Sequence, residues 1–545
     1  MHLLWESIEK VDFIMHKSRV LPPKFAGNGR MEITMYYAVN SSQMKSIDHY
    51  TTEVMKIPSL VLMERAAYEV AAVMKQKIAK TDRILAVCGN GNNGGDGIAA
   101  GRILYLQGYQ VAILFIGEEE AATRQTKLQL EIAKNVGIPI AYNNYKPGEY
   151  NILIDAIFGV GLSRPVAGEQ AKIIEAMNRT DAVVFSVDMP SGISADDGSV
   201  ANIAVRADYT ITFGCQKQGL LLYPGAEYAG EITVADIGFP EFAVQQAEPD
   251  TFYYSMEDLK QLPARKRNGH KGTFGKVLVI AGAKGMSGAC YLSAKAAYRT
   301  GAGLVKVLTA SDNRPIIQTL LPEALFSSYD DCQSIEGTKE LMEHLSWATV
   351  IVIGPGLGQS ELAAYLLQTV LKTARVPVIL DADGINLLAK LLDTISEDSN
   401  ARMDALSGLG MDSVILTPHL LELSRLIHVP VEQIRKNMID TASQCSYNNN
   451  LIYVIKDART VVAHQKDRYI NVSGNHGMAT GGSGDVLTGV IAALVAQGMA
   501  PYKAACLGVY LHGLAGNYAA AEKGTYSLIA SDILDSIEQV LLTNA

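Results

Sequence analysis

The stretch GNHGMATGGSGD, residues 474–485, decides the fold of the second half of the chain, and the apolar run VLTGVIAALVAQG follows it at once. The run has the length of a helix, and a glycine-rich loop before a helix leaves backbone N–H groups unpaired at its positive end. Such groups bind phosphate oxygens. Asp485 closes the loop, where a carboxylate would repel phosphate unless it had another task, such as accepting a proton. The stretch therefore predicts a phosphate-binding loop that ends in a base; the simpler alternative is a turn before a buried helix.

The composition excludes several classes of protein. A chain of 545 residues is too long for one ordinary core, and two domains are the simplest expectation. A net charge of −9 and 7% aromatic residues offer neither attraction for polyanions nor a stacking surface, so nucleic acid is not expected as a partner. No apolar run is long enough to span a bilayer, so no membrane is expected. The cysteines lack metal-binding spacing, which predicts reduced thiols and a cytoplasmic protein.

Short apolar runs alternate with segments of helical length along both halves of the chain. The first half contains ILAVCG, VAILFIG, NILIDAIFG and AVVFSVDMPSG; the second contains KVLVIAG, TVIVIGPGLG, VPVILDADG, SVILTPH and LIYVIKD. Strands that are buried on both faces and alternate with helices predict parallel sheets covered on each side. The predicted fold class is therefore α/β, with two doubly wound, three-layer domains. In such sheets ligands bind beyond the carboxyl ends of the strands.

The same patterns predict the domain limits. Residues 1–34 lack the apolar centre of a signal peptide and are expected to be a dispensable extension. Residues 37–80 have a helical period. Between 238 and 263 the alternation is lost, which predicts a linker at 246–264 between domains at 35–245 and 265–545. The basic cluster at 265–271 is either part of this linker or a phosphate contact.

The loop 474–485 resembles the nucleotide and catalytic motif of the ribokinase-like, ADP-dependent NAD(P)HX dehydratases, and the resemblance runs from about residue 265 to the end. It implies that ADP is a co-substrate accompanied by Mg²⁺, and that Asp485 is the catalytic base and contacts the substrate hydroxyl. The implied ADP-binding residues are Lys456, Asp457, Ala458, Arg459, Thr460, Asn475, His476, Gly477, Met478, Ala479, Thr480, Gly481, Gly482, Ser483 and Gly484. The implied contacts to the hydrated nicotinamide are Gly358, His419, Leu420, Leu421, Glu422, Leu423, Ser424, Arg425 and Asp485.

The chain departs from this family at two places. The family usually has Pro and Gly after the motif histidine, where this chain has Leu420 and Leu421, and its glycine-rich KGxxT loop is KDART here. Leucine reproduces neither the close backbone approach of glycine nor the fixed φ of proline, so the departures bear on backbone contacts more than on chemistry. Asp381 and Asp383, which follow a predicted strand, either help to hold Mg²⁺ through water or cap the next helix.

The cluster NNGGDG, a strand-end aspartate, the loop GVGLSRP and DMPSG together resemble the Rossmann-like NAD(P)HX epimerase domain, over residues 37–245. The resemblance implies a K⁺ site of hard oxygen ligands at Asn93, Asp155 and Ser191. The implied cradle for the substrate is Asn92, Asn93, Gly94, Gly95, Asp96, Gly159, Val160, Gly161, Leu162, Ser163, Arg164 and Pro165. Asp188 is expected to contact the substrate as a catalytic residue; alternatively, it caps the PSG turn. No role is assigned to Lys217 or Tyr223.

Together the two resemblances imply a bifunctional repair enzyme, an isomerase and a lyase. The N-terminal domain would epimerise R- and S-NAD(P)HX, and the C-terminal domain would use ADP to dehydrate the S epimer to NAD(P)H, releasing AMP and phosphate. The expected partners are NADHX, NADPHX, ADP and further copies of the chain in a homo-oligomer. The alternative is a small-molecule kinase of the hydroxymethylpyrimidine or hydroxyethylthiazole type, whose loop is similar, with a non-catalytic N-terminal ligand-binding module.

Overall fold

The computed structural model describes residues 36–142, 149–330, 332–395, 398–407, 413–447 and 450–543, and residues 1–34 therefore lie outside the described part. The chain divides into two compact units between Phe252 and Tyr253. Each unit contains a parallel or largely parallel sheet whose strands alternate with helices, as the sequence predicts. Among the described residues, no helix combines the length and the apolar composition that crossing a bilayer requires.

The N-terminal unit contains a sheet of seven parallel strands in the order β4-β3-β2-β5-β6-β7-β9. These strands and a separate parallel pair, β1 with β8, are β1 (Tyr36–Val39), β2 (Arg83–Cys88), β3 (Gln110–Phe115), β4 (Ile140–Tyr142), β5 (Ile152–Ala156), β6 (Val183–Val187), β7 (Tyr209–Phe213), β8 (Gln216–Lys217) and β9 (Glu231–Ala235). The helices are Ser41–His49, Ser59–Lys75, Asn92–Leu106, Arg124–Val136, Gly168–Asn178, Gln218–Leu221, Gly225–Tyr228 and Glu241–Gln246. The strand order reverses between β2 and β5, and a crevice forms at such a switch point.

Helices cover both faces of this sheet. Ile84 of β2 belongs to an apolar cluster with residues of the helix Asn92–Leu106. The next residue, Leu85, belongs to a second cluster with residues of the helix Gly168–Asn178. Because side chains alternate along a strand, β2 supplies both clusters, which produces the predicted three layers.

The C-terminal unit contains nine neighbouring strands in the order β13-β12-β11-β14-β15-β16-β17-β18-β19. They follow the short strand β10 (Thr251–Tyr253) and are β11 (Lys276–Ile280), β12 (Leu304–Thr309), β13 (Leu325–Ser328), β14 (Val350–Ile353), β15 (Val378–Leu380), β16 (Val414–Leu416), β17 (Leu451–Ile455), β18 (Val461–His464) and β19 (Asp467–Ile470). The helices are Ser287–Arg299, Arg314–Leu320, Ile335–Trp347, Glu361–Thr373, Asp383–Asp393, Ser399–Ser407, Leu420–Ile427, Val431–Lys436, Met438–Ser446, Ser483–Ala496, Pro501–Lys523 and Ala530–Leu542. Pairing is parallel from β13 to β17 and antiparallel from β17 to β19.

The structure differs from the predicted elements in three places. The predicted helical stretch at 37–80 begins with β1 and contains two α-helices, with a π-helical turn at Tyr50–Val54 between them. The second α-helix begins only after Pro58, which has no N–H for a continuous helix. The helix after the glycine-rich loop begins at Ser483, three residues before its apolar run. The segment predicted as a linker contains β10 and a 3₁₀ turn at Met256–Gln261.

Candidate active sites

In the N-terminal unit, a cleft of about 560 Å³ lies at the carboxyl ends of β2 and β5, at the switch point of the sheet. The predicted cradle residues that line it are Asn92, Asn93, Asp96, Gly159, Val160, Gly161, Leu162, Ser163 and Arg164. Gly94 and Gly95 are buried in the first turn of the helix behind the wall. A Cβ on Gly94 would lie 1.8 Å from the carbonyl oxygen of Gly89, so this helix can approach β2 only because the side chain is absent.

Asp155 is fully buried at the end of β5 and accepts four hydrogen bonds, one of them from the Ile157 N–H at 3.4 Å. The Ser191 N–H and the Ser186 hydroxyl each donate to Oδ2 at 2.8 Å, and the Ser191 hydroxyl donates to Oδ1 at 2.5 Å. Burial raises the pKa of the Asp155 carboxyl, although these bonds oppose the shift. Two of the three predicted potassium ligands, Asp155 and Ser191, therefore meet directly.

Asn93, the third predicted ligand, lies in the first turn of the helix that follows β2. Its buried amide nitrogen has no hydrogen-bond partner among the described residues. A Cβ on Gly159 would lie 3.2 Å from Asn93 Oδ1, so the amide occupies the space that the glycine leaves. The loop after β5 and the helix after β2 are thus joined at Asn93.

Asp188 forms a buried ion pair with Lys217. The Lys217 ammonium lies 2.7 Å from Asp188 Oδ1, and no part of the lysine is exposed. Asp188 also has the left-handed backbone conformation, with φ at 65°, which a residue without glycine's freedom adopts only under the constraint of its surroundings. Its carboxylate bonds toward β7 and β8 rather than to the PSG turn, so the alternative that Asp188 caps this turn is wrong.

Asp96 lies on the same cleft, in the helix after β2. Burial, together with the charges of Asp188 and Asp48, raises the pKa of the Asp96 carboxyl well above its usual value. Among the carboxyl groups on the cleft, Asp188 is paired with a cation, whereas Asp96 is desolvated. Such contrasts are typical of acid–base sites.

In the C-terminal unit, Asp485 lies in the first turn of the helix Ser483–Ala496. Gly482 precedes the helix with φ at 90°, a conformation that favours glycine and turns the loop into the helix. Burial and the charge of Asp381 raise the pKa of the Asp485 carboxyl to about 7, while Lys456 lowers it. A carboxyl with this pKa exchanges its proton near neutral pH, as a general base must.

Lys456, directly after β17, forms an ion pair with the buried Asp381, directly after β15. Its ammonium lies 2.7 Å from Asp381 Oδ1. The hydroxyl of Thr417 donates to the same carboxylate oxygen, and that of Thr488 donates to the other. Burial alone would lower the pKa of Lys456, but the charges of Asp381 and Glu422 outweigh it and raise the value. A Cβ on Gly484 would lie 3.2 Å from the Lys456 ammonium, so the two predicted ADP-binding segments adjoin here.

His419 and Glu422 cap the helix Leu420–Ile427 reciprocally. The His419 N–H donates to Glu422 Oε2, and the Leu421 and Glu422 N–H groups donate to His419 Nδ1. Leu421 is 46% exposed, whereas Leu420 is buried. The two leucines that replace the family's Pro and Gly therefore fit a regularly capped first turn. Leu423, Ser424 and Arg425 continue this helix, and Arg425 donates to Asn386 Oδ1.

Hydrogen bonds hold the Gly358 loop and the start of the glycine-rich loop in place. The Gly358 N–H donates to Asp383 Oδ2 at 2.8 Å, so Asp383 anchors the Gly358 loop and provides no side-chain cap. Asp381 does not cap the helix either, since its oxygens bond to Lys456, Thr417 and Thr488. The helix-cap alternative is therefore wrong for Asp381 and for Asp383. Asn475 Oδ1 accepts from the Gly477 N–H, which begins the glycine-rich loop with a tight turn.

Comparison with known proteins follows the same division into two halves. Residues 59–219 match the family model described as "YjeF-related protein N-terminus", and residues 277–539 match "NAD(P)H-hydrate dehydratase". The bifunctional NAD(P)H-hydrate repair enzyme Nnr of Thermofilum pendens is 34% identical over 513 residues, which cover 92% of this chain and 95% of that protein. The enzyme of the same name from Moorella thermoacetica is 34% identical over 528 residues, 93% of this chain and 96% of the relative. This chain belongs to the family of bifunctional NAD(P)H-hydrate repair enzymes.

One solved structure that is similar to the C-terminal half is the ADP/ATP-dependent NAD(P)H-hydrate dehydratase of Bacillus subtilis, co-crystallised with ATP and Mg²⁺. It is 29% identical, with a TM-score of 0.46, and the match covers 54% of this chain and 98% of that chain.

Several residues of this bifunctional repair enzyme reach the sites without having been assigned from the sequence, among them Ser186, which bonds to Asp155, and the following four. Lys217 pairs with Asp188; Thr417 and Thr488 bond to Asp381; the buried His512 lies 3.4 Å from the Ser483 hydroxyl. Burial lowers the pKa of His512 to about 4. Only Thr488 had a signal in the sequence, because it follows Asp485 by three residues and so lies on the same side of a helix. The others depend on contacts between distant parts of the chain.

Proposed function

We propose that the two units divide the repair of hydrated NADH and NADPH between them. The N-terminal unit interconverts the R and S epimers of NAD(P)HX, and the C-terminal unit uses ADP to dehydrate the S epimer, releasing AMP and phosphate. The single observation that carries the second activity is Asp485: a carboxyl with a pKa of about 7 in the first turn of a helix, directly after a glycine-rich loop and close to Lys456. A phosphoryl-transfer site requires this combination of base, cation and backbone N–H donors.

The dehydration begins with a phosphoryl transfer. Asp485 accepts the proton of the C6 hydroxyl, the freed oxygen attacks the β-phosphorus of ADP, and the bond from that phosphorus to the bridging oxygen breaks, so that AMP leaves. The N–H groups of Gly481–Gly484 and the Lys456 ammonium stabilise the charge on the transferring group. The C6–O bond then breaks, with its electrons leaving on phosphate. Loss of a proton from C5 forms the C5–C6 double bond of NAD(P)H. Phosphate leaves readily where hydroxide does not.

We infer that Mg²⁺ arrives with the nucleotide. Within the described ranges, no group of three His, Cys, Asp or Glu side chains could hold a metal ion. The sequence offers Asp381 and Asp383 as residues that could hold Mg²⁺ through water, but both already accept hydrogen bonds. Asp381 accepts from Lys456 and two threonines, and Asp383 accepts from the Gly358 N–H and Gln359. Magnesium ordinarily binds through substrate phosphates and water with few protein ligands, which agrees with this arrangement.

For the N-terminal unit, we propose that Asn93, Asp155 and Ser191 hold a potassium ion and that Asp188 acts on the substrate. The support for the ion is chemical. Ser191 Oγ lies beside Asp155 Oδ1 and 3.2 Å from the Phe158 carbonyl oxygen, and Asn93 Oδ1 adjoins Gly159 on the same loop. Amide, carboxylate, hydroxyl and carbonyl oxygens suit a hard cation.

Several finer statements belong to the same proposal. The epimerase and dehydratase domains would span about 35–245 and 265–545; ADP would be preferred to ATP; copies of the chain would associate. The six cysteines are all buried, which agrees with work in a reducing cytoplasm. Light scattering of the purified protein decides the oligomeric state.

One assay tests the central proposal. The purified full chain is given S-NADHX or R-NADHX with ADP, with ATP or without nucleotide, and the absorbance of reduced nicotinamide and the release of inorganic phosphate are followed. We expect both epimers to yield NADH with ADP, and equal amounts of NADH and phosphate. Phosphate retained on an organic product would instead indicate a kinase.

A further inference from the structure

The ammonium of Lys217 uses all of its hydrogen-bond donors inside the protein. It donates to Asp188 Oδ1 at 2.7 Å, to the Thr212 hydroxyl at 2.8 Å and to the Phe213 carbonyl oxygen at 2.9 Å. An ammonium group has three N–H donors, so none remains for a bound substrate. Lys217 lies in the wall of the cleft but is fully buried. It can therefore act on the substrate only through Asp188.

The two oxygens of Asp188 differ in their surroundings. Oδ1 accepts from Lys217, from the Thr212 hydroxyl at 3.3 Å and from the Phe213 N–H at 3.4 Å. Oδ2 accepts no hydrogen bond from any residue that the structure describes. The Asp188 side chain is 13% exposed and lines the cleft. One oxygen is thus anchored, and the other remains available to a ligand.

We infer that Lys217 is the positioning residue of the epimerase: it anchors Asp188 Oδ1 so that Oδ2 can exchange a proton with the substrate. This inference rests on the proposed function. Inversion at C6 requires one of its bonds to open and re-form on the opposite face. Oδ2 accepts the proton of the C6 hydroxyl as the C6–O double bond forms and the C6–N1 bond breaks with its electrons going to N1, which then takes the proton. Closure returns the proton by the reverse steps.

The charges around Asp188 explain why a cation is needed there. Asp96 and Asp48, from two different helices, also line the cleft, so three carboxyl groups face it. Lys217 is the cation bonded directly to the carboxylate. Burying an ion pair costs desolvation free energy that its own attraction seldom exceeds, so the pair is better explained by its effect on Asp188 than by stability.

The test uses the full chain and measures epimerisation of R-NADHX without ADP. Lys217→Met should lower the epimerase kcat by about 10²-fold, the scale of one lost acid–base contribution, with little change in KM. Lys217→Arg should restore part of the rate. In Lys217→Ala, methylammonium should restore activity, whereas tetramethylammonium, which has no N–H donor, should not. Lys77→Met, which removes an exposed cation of the same unit, is the matched control.

Dehydration of S-NADHX by the same preparations and their melting temperatures report whether each variant is folded. A wild-type kcat in Lys217→Met, or a folded Lys217→Ala enzyme that methylammonium does not reactivate, overturns the inference and leaves the proposed function standing. A wild-type chain that does not interconvert the epimers contradicts the proposed function itself.

Discussion

The Lys456 ammonium lies 2.7 Å from Asp381 Oδ1, which joins the end of β17 to the end of β15. Asp381 is buried, and hydroxyls of Thr417 and Thr488 complete the bonds to its carboxylate. The Asp381 carboxylate is therefore already hydrogen-bonded within the protein. Asp485 is the neighbouring carboxyl that remains for proton transfer. Lys456 bonds to Asp381, and its charge lowers the pKa of Asp485.

Lys456→Met should destabilise the C-terminal unit, because it leaves the Asp381 charge buried without its cation. The expected loss is about 3 to 5 kcal/mol of unfolding free energy. Adding Asp381→Asn to the same chain should recover part of this loss, since the second change removes the uncompensated charge. Denaturant unfolding of both single variants and the double variant measures the coupling. Additive losses would show that the pair does not interact.

Asp485→Asn should abolish most dehydratase turnover while ADP still binds. Asparagine keeps the shape of aspartate but cannot accept the C6 hydroxyl proton, so we expect a loss of about 10²- to 10⁴-fold. The phosphates bind backbone N–H groups, which the substitution leaves intact. Phosphate release and ADP titration on this variant check both halves of the prediction. Near-normal turnover would mean that Asp485 only caps the helix.

The stability of the same variant should depend on pH. In the unfolded chain the Asp485 carboxyl has its ordinary pKa of 3.8, and in the folded chain the value is about 7. Between these values the folded state binds more protons, so the stability of the wild type falls as pH rises from about 4 to about 7. Asp485→Asn removes this effect. Without nucleotide, Asp485→Asn should be more stable than the wild type at pH 8, by about 2 to 4 kcal/mol in unfolding free energy. At pH 4 the two proteins should have the same stability. Melting temperatures measured at both pH values check the prediction.

Asp155→Asn should lower both the epimerase rate and its dependence on potassium. The asparagine keeps one side-chain oxygen but lacks the charge that attracts the ion. Its NH₂ group is a donor, so it cannot accept the hydrogen bonds that Ser186 and Ser191 donate to the carboxylate. A potassium titration of R-NADHX epimerisation measures the effect, with S-NADHX dehydration as the internal control. Unchanged epimerisation over the whole titration would contradict the assigned site.

A fragment of residues 253–545 should dehydrate S-NADHX and leave the R epimer unconsumed. It should also be more stable than a fragment of residues 265–545. The longer fragment keeps Tyr254, whose ring centroid lies 4.7 Å from that of Tyr469 and 6.0 Å from that of Tyr510, and the buried Leu259. Melting temperatures of the two fragments compare them. Equal stabilities would show that residues 253–264 only connect the units.

The sequence by itself determined the features that depend on neighbouring residues. Apolar runs separated by helical segments specify a doubly wound sheet, because buried strands and amphipathic helices have different periods. The loop 474–485 specifies its helix and its carboxylate in one continuous stretch. The first helix turn after Gly482 escaped prediction, since glycine and serine carry no apolar period.

Only the tertiary structure decided which charges meet. Lys217 and Asp188 are 29 positions apart, Lys456 and Asp381 are 75 apart, and Thr488 and Asp381 are 107 apart. No local pattern encodes such pairs, because each joins side chains from elements that are distant in sequence and meet only in the folded chain. The pKa of Asp485 was likewise beyond the sequence. It depends on burial and on the distances to Asp381 and Lys456, and these exist only once the chain has folded.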